Sequence, residues 1–219
     1  MRTNFRTVCL ALAAGLISGL SIAQPATDDA TRYSIDSANS ILRVFVGKAG
    51  PLARMGHNHV VHTKELTGEI ILATDLLNSS ASFSFPVQSF VVDDAEEREL
   101  AGAEFESQPG ESAIAGTRTN MLSEGVLNAE MFPGISVRAK PTEITDETWS
   151  FALELELLGQ TIELVVPAQV VLNADSVAVT ATFALDHSDL GLEPFSALGG
   201  SLRVAGQLDF KLDIVATLQ

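Results

Sequence analysis

Between Arg203 and Val215 the chain alternates apolar and polar residues with a period of two. Val204, Leu208, Phe210, Leu212 and Ile214 fall on one side together with Gly206, while Arg203, Gln207, Asp209, Lys211 and Asp213 fall on the other. Successive side chains of an extended strand point to opposite faces, so this is the signature of a long strand with one buried and one wet face. The pattern recurs at Phe151, Leu153, Leu155 and Leu157 against Glu154 and Glu156, and again through 162–172 and 177–185. Ala81, Phe83, Phe85 and Val87 repeat it against Ser82, Ser84 and Gln88. Adding 41–46, 66–73 and 134–141 predicts eight main strands joined in up-and-down order.

Gly159-Gln160 and Asn173 to Ser176 supply short hairpin connections. Pro86 and Pro167 lie inside strand patterns, where a missing N–H predicts a bulge or an unpaired stretch. Thr117 to Asn128 is expected to be a short helix with Met121, Leu122, Val126 and Leu127 on its buried side. The run from Asp93 to Glu111 carries eight acidic residues' worth of charge against the single Arg98 and is expected to be a solvated acidic loop or helix, with partner docking as the alternative.

Eight one-sided strands can pack as two sheets or close on themselves. Consecutive hairpins favour closure, since a meander needs no long crossing. The expected fold is therefore all-β, an eight-stranded antiparallel up-and-down barrel with one or two short helices between strands 4 and 5. A membrane-spanning barrel needs an apolar outer face. Here the polar face carries Arg, Lys, Asp and Glu in mid-strand, which excludes it.

The N-terminal stretch reads as a targeting signal. Arg2 and Arg6 precede an apolar run from Val8 to Leu20, and Ser21-Ile22-Ala23 has the small–x–small form of a leader cleavage site. Residues 1–23 are expected to be a signal peptide, 24–32 a linker, and 33–219 one barrel domain in a periplasmic or secreted protein. The only cysteine, Cys9, would leave with the leader, so no disulfide could support the mature fold. Without Arg2 and Arg6 the 13 Lys and Arg fall to 11 against 28 Asp and Glu, a net charge of −17. An acidic body of that kind argues against nucleic acid and anionic membrane surfaces as partners.

A barrel of about eight strands either fills its interior with side chains or holds one small ligand. Periodicity alone leaves both open. The segment Ser37 to Lys64 adds a second observation, because it contains no Asp or Glu. It holds Arg43, Lys48, Arg54 and Lys64 with His57, His59 and His62, three of the four histidines. Such an island suits an anionic head group, and it equally suits a basic loop that balances the acidic run.

Several short motifs follow one another in a recognisable order. They are Tyr33-Ser-Ile-Asp36, Ser40, Val44-Phe45, the turn Met55-Gly-His-Asn-His59 and Leu66-Thr-Gly68. Phe85 to Val92, Leu127 to Ser136, Leu157-Leu-Gly-Gln-Thr-Ile162 and Asp186-His-Ser-Asp-Leu-Gly191 continue the series. In order and spacing they resemble the YceI-like family, exported lipocalin-like proteins that bind polyisoprenoid or other long-chain lipids. Two positions depart from the family pattern: His187 stands where Arg is usual, Leu190 where an aromatic is usual. The early turn also carries extra histidines.

The resemblance implies non-enzymatic carriage of one long apolar lipid, isoprenoid or amphiphilic fatty-acid in type. Val44, Val46, Ile70, Leu72, Phe83, Phe85, Phe151, Leu153, Val179, Phe183, Phe210 and Leu212 would line its cavity. Arg54, His57 and His59 would stand at the mouth for the head group. No cofactor is expected, and a homodimer is left open. The alternative function is periplasmic metal binding by His57, His59 and His62, with His187 as a further candidate, since residues two apart on an extended segment share a side. An enzyme is not expected: Asp186, His187 and Ser188 are sequence neighbours and cannot form a triad among themselves.

Overall fold

The computed structural model describes residues 30–219, so the expected leader and most of the expected linker lie outside the described residues. The strands are β1 (Thr31–Ile35), β2 (Ile41–Ala49), β3 (His59–Thr63), β4 (Thr67–Leu72), β5 (Ser80–Pro86) and β6 (Val91–Val92). They continue with β7 (Gly134–Ile144), β8 (Trp149–Leu157), β9 (Gln160–Leu172), β10 (Ser176–Asp186), β11 (Ser196–Ala197) and β12 (Leu202–Leu218). Two helices, α1 (Ala95–Leu100) and α2 (Glu111–Leu122), separate β6 from β7. The first strand begins at Thr31, so Thr31 and Arg32 of the expected linker belong to the sheet.

All pairings are antiparallel, and they close a ring. β1 pairs with β4, and the wall continues through β5, β7, β8, β9, β10 and β12. β12 then returns to the start, pairing with β2 along Arg203–Asp213 and with β1 at Ala216–Leu218. The first three wall strands are bent. β1 continues into β2 through a 3-10 turn at Ser37–Asn39, β3 into β4 through 64–66, and β5 into β6 through a turn at Val87–Ser89. Counting each bent pair once gives the eight-stranded up-and-down barrel. Its helices lie after the third wall strand, one strand earlier than the sequence count places them.

Side-chain hydroxyls hold the bends, those of Ser40 and Thr63 buried and that of Ser89 half-buried. Ser40 Oγ donates to the Val215 carbonyl at 3.2 Å and accepts from the Val215 N–H at 3.0 Å, fixing the first bend to β12. Thr63 and Ser89, at the second and third bends, bond to each other at 2.6 Å. Both satisfy backbone groups that a broken ladder would strand without partners.

The prolines act as their missing donor requires. Pro86 ends β5. Pro167 pairs with Ser150 on one side, but on the other the β9–β10 ladder stops at Gln169 and Thr180, short of it. The β8–β9 hairpin turns on Leu158-Gly159, one residue before the position the sequence suggested, since Leu157 pairs with Gln160. Leu158 and Gly159 have φ of 51° and 71°, the paired positive values of a tight strand-to-strand turn.

α2 starts six residues before the predicted helix and stops at Leu122. Pro109-Gly110 precedes it, and Ser123 leaves the helical conformation ahead of Glu124-Gly125. Val126 and Leu127 therefore reach the barrel from a turn. The outer wall is charged as expected, with Arg138 bonded to Glu154 at 2.9 Å across β7 and β8. Among the described residues no helix is long and apolar enough to cross a membrane.

Candidate ligand-binding cavity

The inner side of β8 distinguishes a hollow barrel from a filled one. Trp149 and Leu157, at its two ends, are buried, whereas Phe151, Leu153 and Leu155 between them are only partly so. Side chains that meet in a solid centre are most buried in mid-strand. Here the middle faces open space, a partly open cavity of about 540 Å³. That lies within the roughly 300–1,000 Å³ of ordinary small-molecule sites.

Val44, Val46, Ile70, Phe83, Phe85, Phe151, Leu153, Val179, Phe183, Phe210 and Leu212 all line this cavity. Leu72 does not. It faces a separate space of about 40 Å³ at the far end, between Trp149, Val177 and Leu172. Trp149 stacks on Phe151 with ring centres 6.0 Å apart and closes that end. Phe183 and Phe210 lie opposite one another on β10 and β12 and stack at 5.1 Å, nearly parallel, as part of the wall.

The polar lining residues gather at the other end: Lys48, His57, His59, Thr117, Asn120, His187 and Arg203. None of the lining residues is Asp or Glu, in a chain with 28 of them. This end is walled by the β2–β3 turn, the segment from His187 to Arg203, and α2. Arg118 anchors α2 by donating to the Gln88 carbonyl at 2.7 Å. A bulge between Val204 and Leu208 frees the Gly206 carbonyl, which accepts from His187 Nδ1 at 2.7 Å.

His57 and His59 share the cavity side, with ring centres 6.3 Å apart. His59 is held from behind. Its Nδ1 donates to the Asp93 carboxylate at 2.6 Å, and the other Asp93 oxygen accepts from the Val60 N–H at 3.0 Å. That same oxygen pairs with the Arg98 guanidinium, which also donates to the Asn58 carbonyl at 2.9 Å and the Phe105 carbonyl at 2.7 Å. Burial pushes the Asp93 carboxyl up, yet the hydrogen bonds from His59 and Val60 and the charge of Arg98 outweigh it and hold the carboxyl below its usual range.

The acidic run is thus not a freely solvated segment. Asp93, Glu97 and Arg98 are buried. Glu97 accepts from Arg43 at 2.6 Å, and Arg43 also reaches Asp213 at 2.9 Å, tying α1 to β2 and β12. The solvated reading of 93–111 holds for the outward face of this segment only. Sequence reasoning missed the Asp93–Arg98 pair behind His59. The one available signal was a lone arginine inside an acidic run.

Two further expectations change. His62 points away from the cavity, because on β3 it has the opposite phase to His59 and Val61. It lies buried beneath α1, and burial lowers its pKa despite the neighbouring Glu97. The set His57, His59 and His62 is therefore not brought together. Among the described residues no group of three or more His, Cys, Asp or Glu is placed to hold a metal ion. Arg54 stands exposed on the 3-10 turn Ala53–Met55, outside the cavity lining. Lys48 takes the mouth position instead, in phase with Val44 and Val46, and its Nζ donates to the Gly56 carbonyl at 2.9 Å.

Fold and cavity together define a closed β-barrel with an apolar hollow, the architecture of barrels that enclose one small hydrophobic molecule. The chain belongs to the YceI-like family: the model of the YceI-like domain matches residues 33–216. No curated protein matches it. Among solved structures it is similar to BcnA of Burkholderia cenocepacia, at 14% identity and a TM-score of 0.62, over 84% of this chain and 99% of that one. It is also similar to the YceI protein of Campylobacter jejuni, at 12% identity and a TM-score of 0.51, over 73% of this chain and 84% of that one. At these identities the likeness establishes the fold.

Proposed function

We propose that this protein is an exported, non-enzymatic carrier that encloses the hydrocarbon chain of a long lipid in its barrel. The observation that carries the reading is the half-open inner face of β8 against a cavity of about 540 Å³ with an almost wholly apolar wall. Taking a methylene out of water into such a wall contributes about 0.8 kcal/mol. A long chain therefore supplies most of the affinity, and the closed end at Trp149 limits how much of it enters. The side chains that could suggest catalysis are otherwise engaged: His187 Nδ1 is committed to the Gly206 carbonyl, not to a carboxylate. A leader at residues 1–23 would deliver the carrier across a membrane.

Titration of delipidated protein with retinol, a neutral fluorescent polyene, tests the reading. Saturable one-to-one binding with enhanced fluorescence is the expected result. A signal that rises without saturation, or none at all, contradicts it.

A further inference from the structure

We propose that the lipid's hydrocarbon chain enters and leaves the hollow sideways, through the barrel wall between β9 and β10, and that Pro167 keeps this seam unzipped. The inference rests on the lipid-carrier reading and adds the route by which the cavity fills and empties.

Four register pairs join β9 to β10, the shortest seam of the ring. On its other side β9 makes nine with β8, and β10 makes eleven with β12. The shortfall has a cause in the sequence. The Asn173 N–H donates to the Ser176 carbonyl at 2.9 Å, and in an antiparallel ladder the bonded positions then recur at every second residue. Residues 171, 169 and 167 therefore direct their backbone groups at 178, 180 and 182 of β10. The ladder holds as far as Gln169 and Thr180. At 167 the required N–H is missing, because the residue is proline. Carried further, the same register sets Val165 against Ala184 and Glu163 against Asp186, and like charges placed opposite one another disfavour rejoining. The Asp186 N–H donates instead to Asp189 Oδ2 at 2.9 Å, so this edge of β10 is capped locally.

Side-chain contact is what shuts the seam. Val166, Ala168 and Ala181 are buried together just past the end of the ladder. Nearer the mouth Leu164 and Leu185 are only partly buried, and both line the hollow. On the outside Val165, Pro167, Thr182 and Ala184 are exposed, and none of them is charged. A hydrocarbon chain passing here parts apolar contacts and breaks no ladder bond. It can also slide in along its length, whereas the end closed by Trp149 would require a chain entering at the mouth to be fed in tip first.

Retinol serves as the probe, with its association and release followed by stopped flow in a Cys9→Ser background, which removes the only cysteine. Val165→Cys with Ala184→Cys, both outside the cavity lining, is bridged by the short thiol cross-linker dibromobimane. Ala152→Cys with Val165→Cys, bridged across the intact β8–β9 ladder, is the control. Bridging the seam should slow both rates at least about tenfold, the effect of one or two backbone bonds added to the barrier. Their ratio, the dissociation constant, should stay the same, and the control bridge should leave both rates as they were. Pro167→Val, which restores the N–H, should slow hydrogen exchange at Val165, Thr182 and Ala184 and slow both retinol rates together. Rates unmoved by the seam bridge, or slowed equally by the control bridge, overturn the lateral route in favour of the mouth. Exchange unmoved in Pro167→Val overturns the role given to the proline. Wild type that never binds retinol saturably removes the carrier reading itself, a result distinct from wild type that binds it at rates indifferent to the seam.

Discussion

His59 Nδ1 lies 2.6 Å from a carboxylate oxygen of Asp93, a residue with φ of 56° and almost no exposure. The pair joins the cavity wall to the segment that covers it, because the second oxygen of Asp93 meets Arg98, itself buried. Removing the carboxylate leaves a buried guanidinium without its counter-charge, a loss of about 3–5 kcal/mol in comparable pairs. Asp93→Ala should therefore lower the urea midpoint strongly and expose the 93–107 backbone to faster hydrogen exchange. Unchanged exchange there would show that the network does not hold the segment.

Acid should weaken the fold in two stages. His62 is kept neutral by burial, below its ordinary value of 6.5, so the unfolded chain takes up its proton first and stability falls once the pH drops below about that value. Asp93 and Glu97 are both held below their ordinary values of 3.8 and 4.5. Their contribution is complete above those values and is lost as the pH falls through the lower folded ones. Denaturation midpoints measured from pH 8 to pH 3 should show both stages, with His62→Gln removing the first and Glu97→Gln reducing the second.

Ser40 is buried and forms two bonds to Val215, so Ser40→Ala strands both backbone groups at the bend between β1 and β2. The expected cost is about 1–3 kcal/mol. A shifted urea midpoint with an unchanged slope is the reading to look for, since the surface exposed on unfolding should not alter.

Ala139 lines the hollow and pairs with Leu153 on β8 and Ala81 on β5. In a solid core Ala139→Phe would overpack and cost about 1–3 kcal/mol. Facing open space, it should leave thermal stability nearly unchanged and abolish or sharply weaken retinol binding. A large drop in melting temperature would indicate a filled centre.

Phe183→Ala tests the wall from the other direction. A fully packed phenylalanine costs about 3–5 kcal/mol on truncation. Phe183 packs on Phe210 but turns partly toward the cavity, so the ligand-free protein should lose less than that range. The loss should grow when a ligand is bound.

Wherever one face of a strand is wet, the sequence makes the fold legible: β8 and β12 stand out because charge marks their outer side, and β10 because Thr180 and Thr182 alternate with its apolar residues. β3 is hidden for the opposite reason. Val60, Val61, His62 and Thr63 are all buried, with the cavity on one side and the α1 segment on the other, so no alternation survives and the stretch resembles a turn. The cavity wall follows from strand phase, and Leu72 fails only because it sits beyond the aromatic floor. The mouth was harder to read. A count of basic residues over Ser37 to Lys64 cannot separate Arg54 from Lys48, whereas continuing the phase of Val44 and Val46 does. The partnership of His59 with Asp93 depends on a chain reversal that leaves no periodic trace.

Native mass spectrometry of the protein purified from its own host, followed by organic extraction and analysis of what is released, bears most directly on the hollow barrel as a lipid carrier. A single additional mass that survives gentle desolvation, and is recovered in the organic phase as one long-chain lipid, is the predicted result. Protein that arrives at its bare polypeptide mass, or with only a metal ion attached, and yields no lipid on extraction would contradict it.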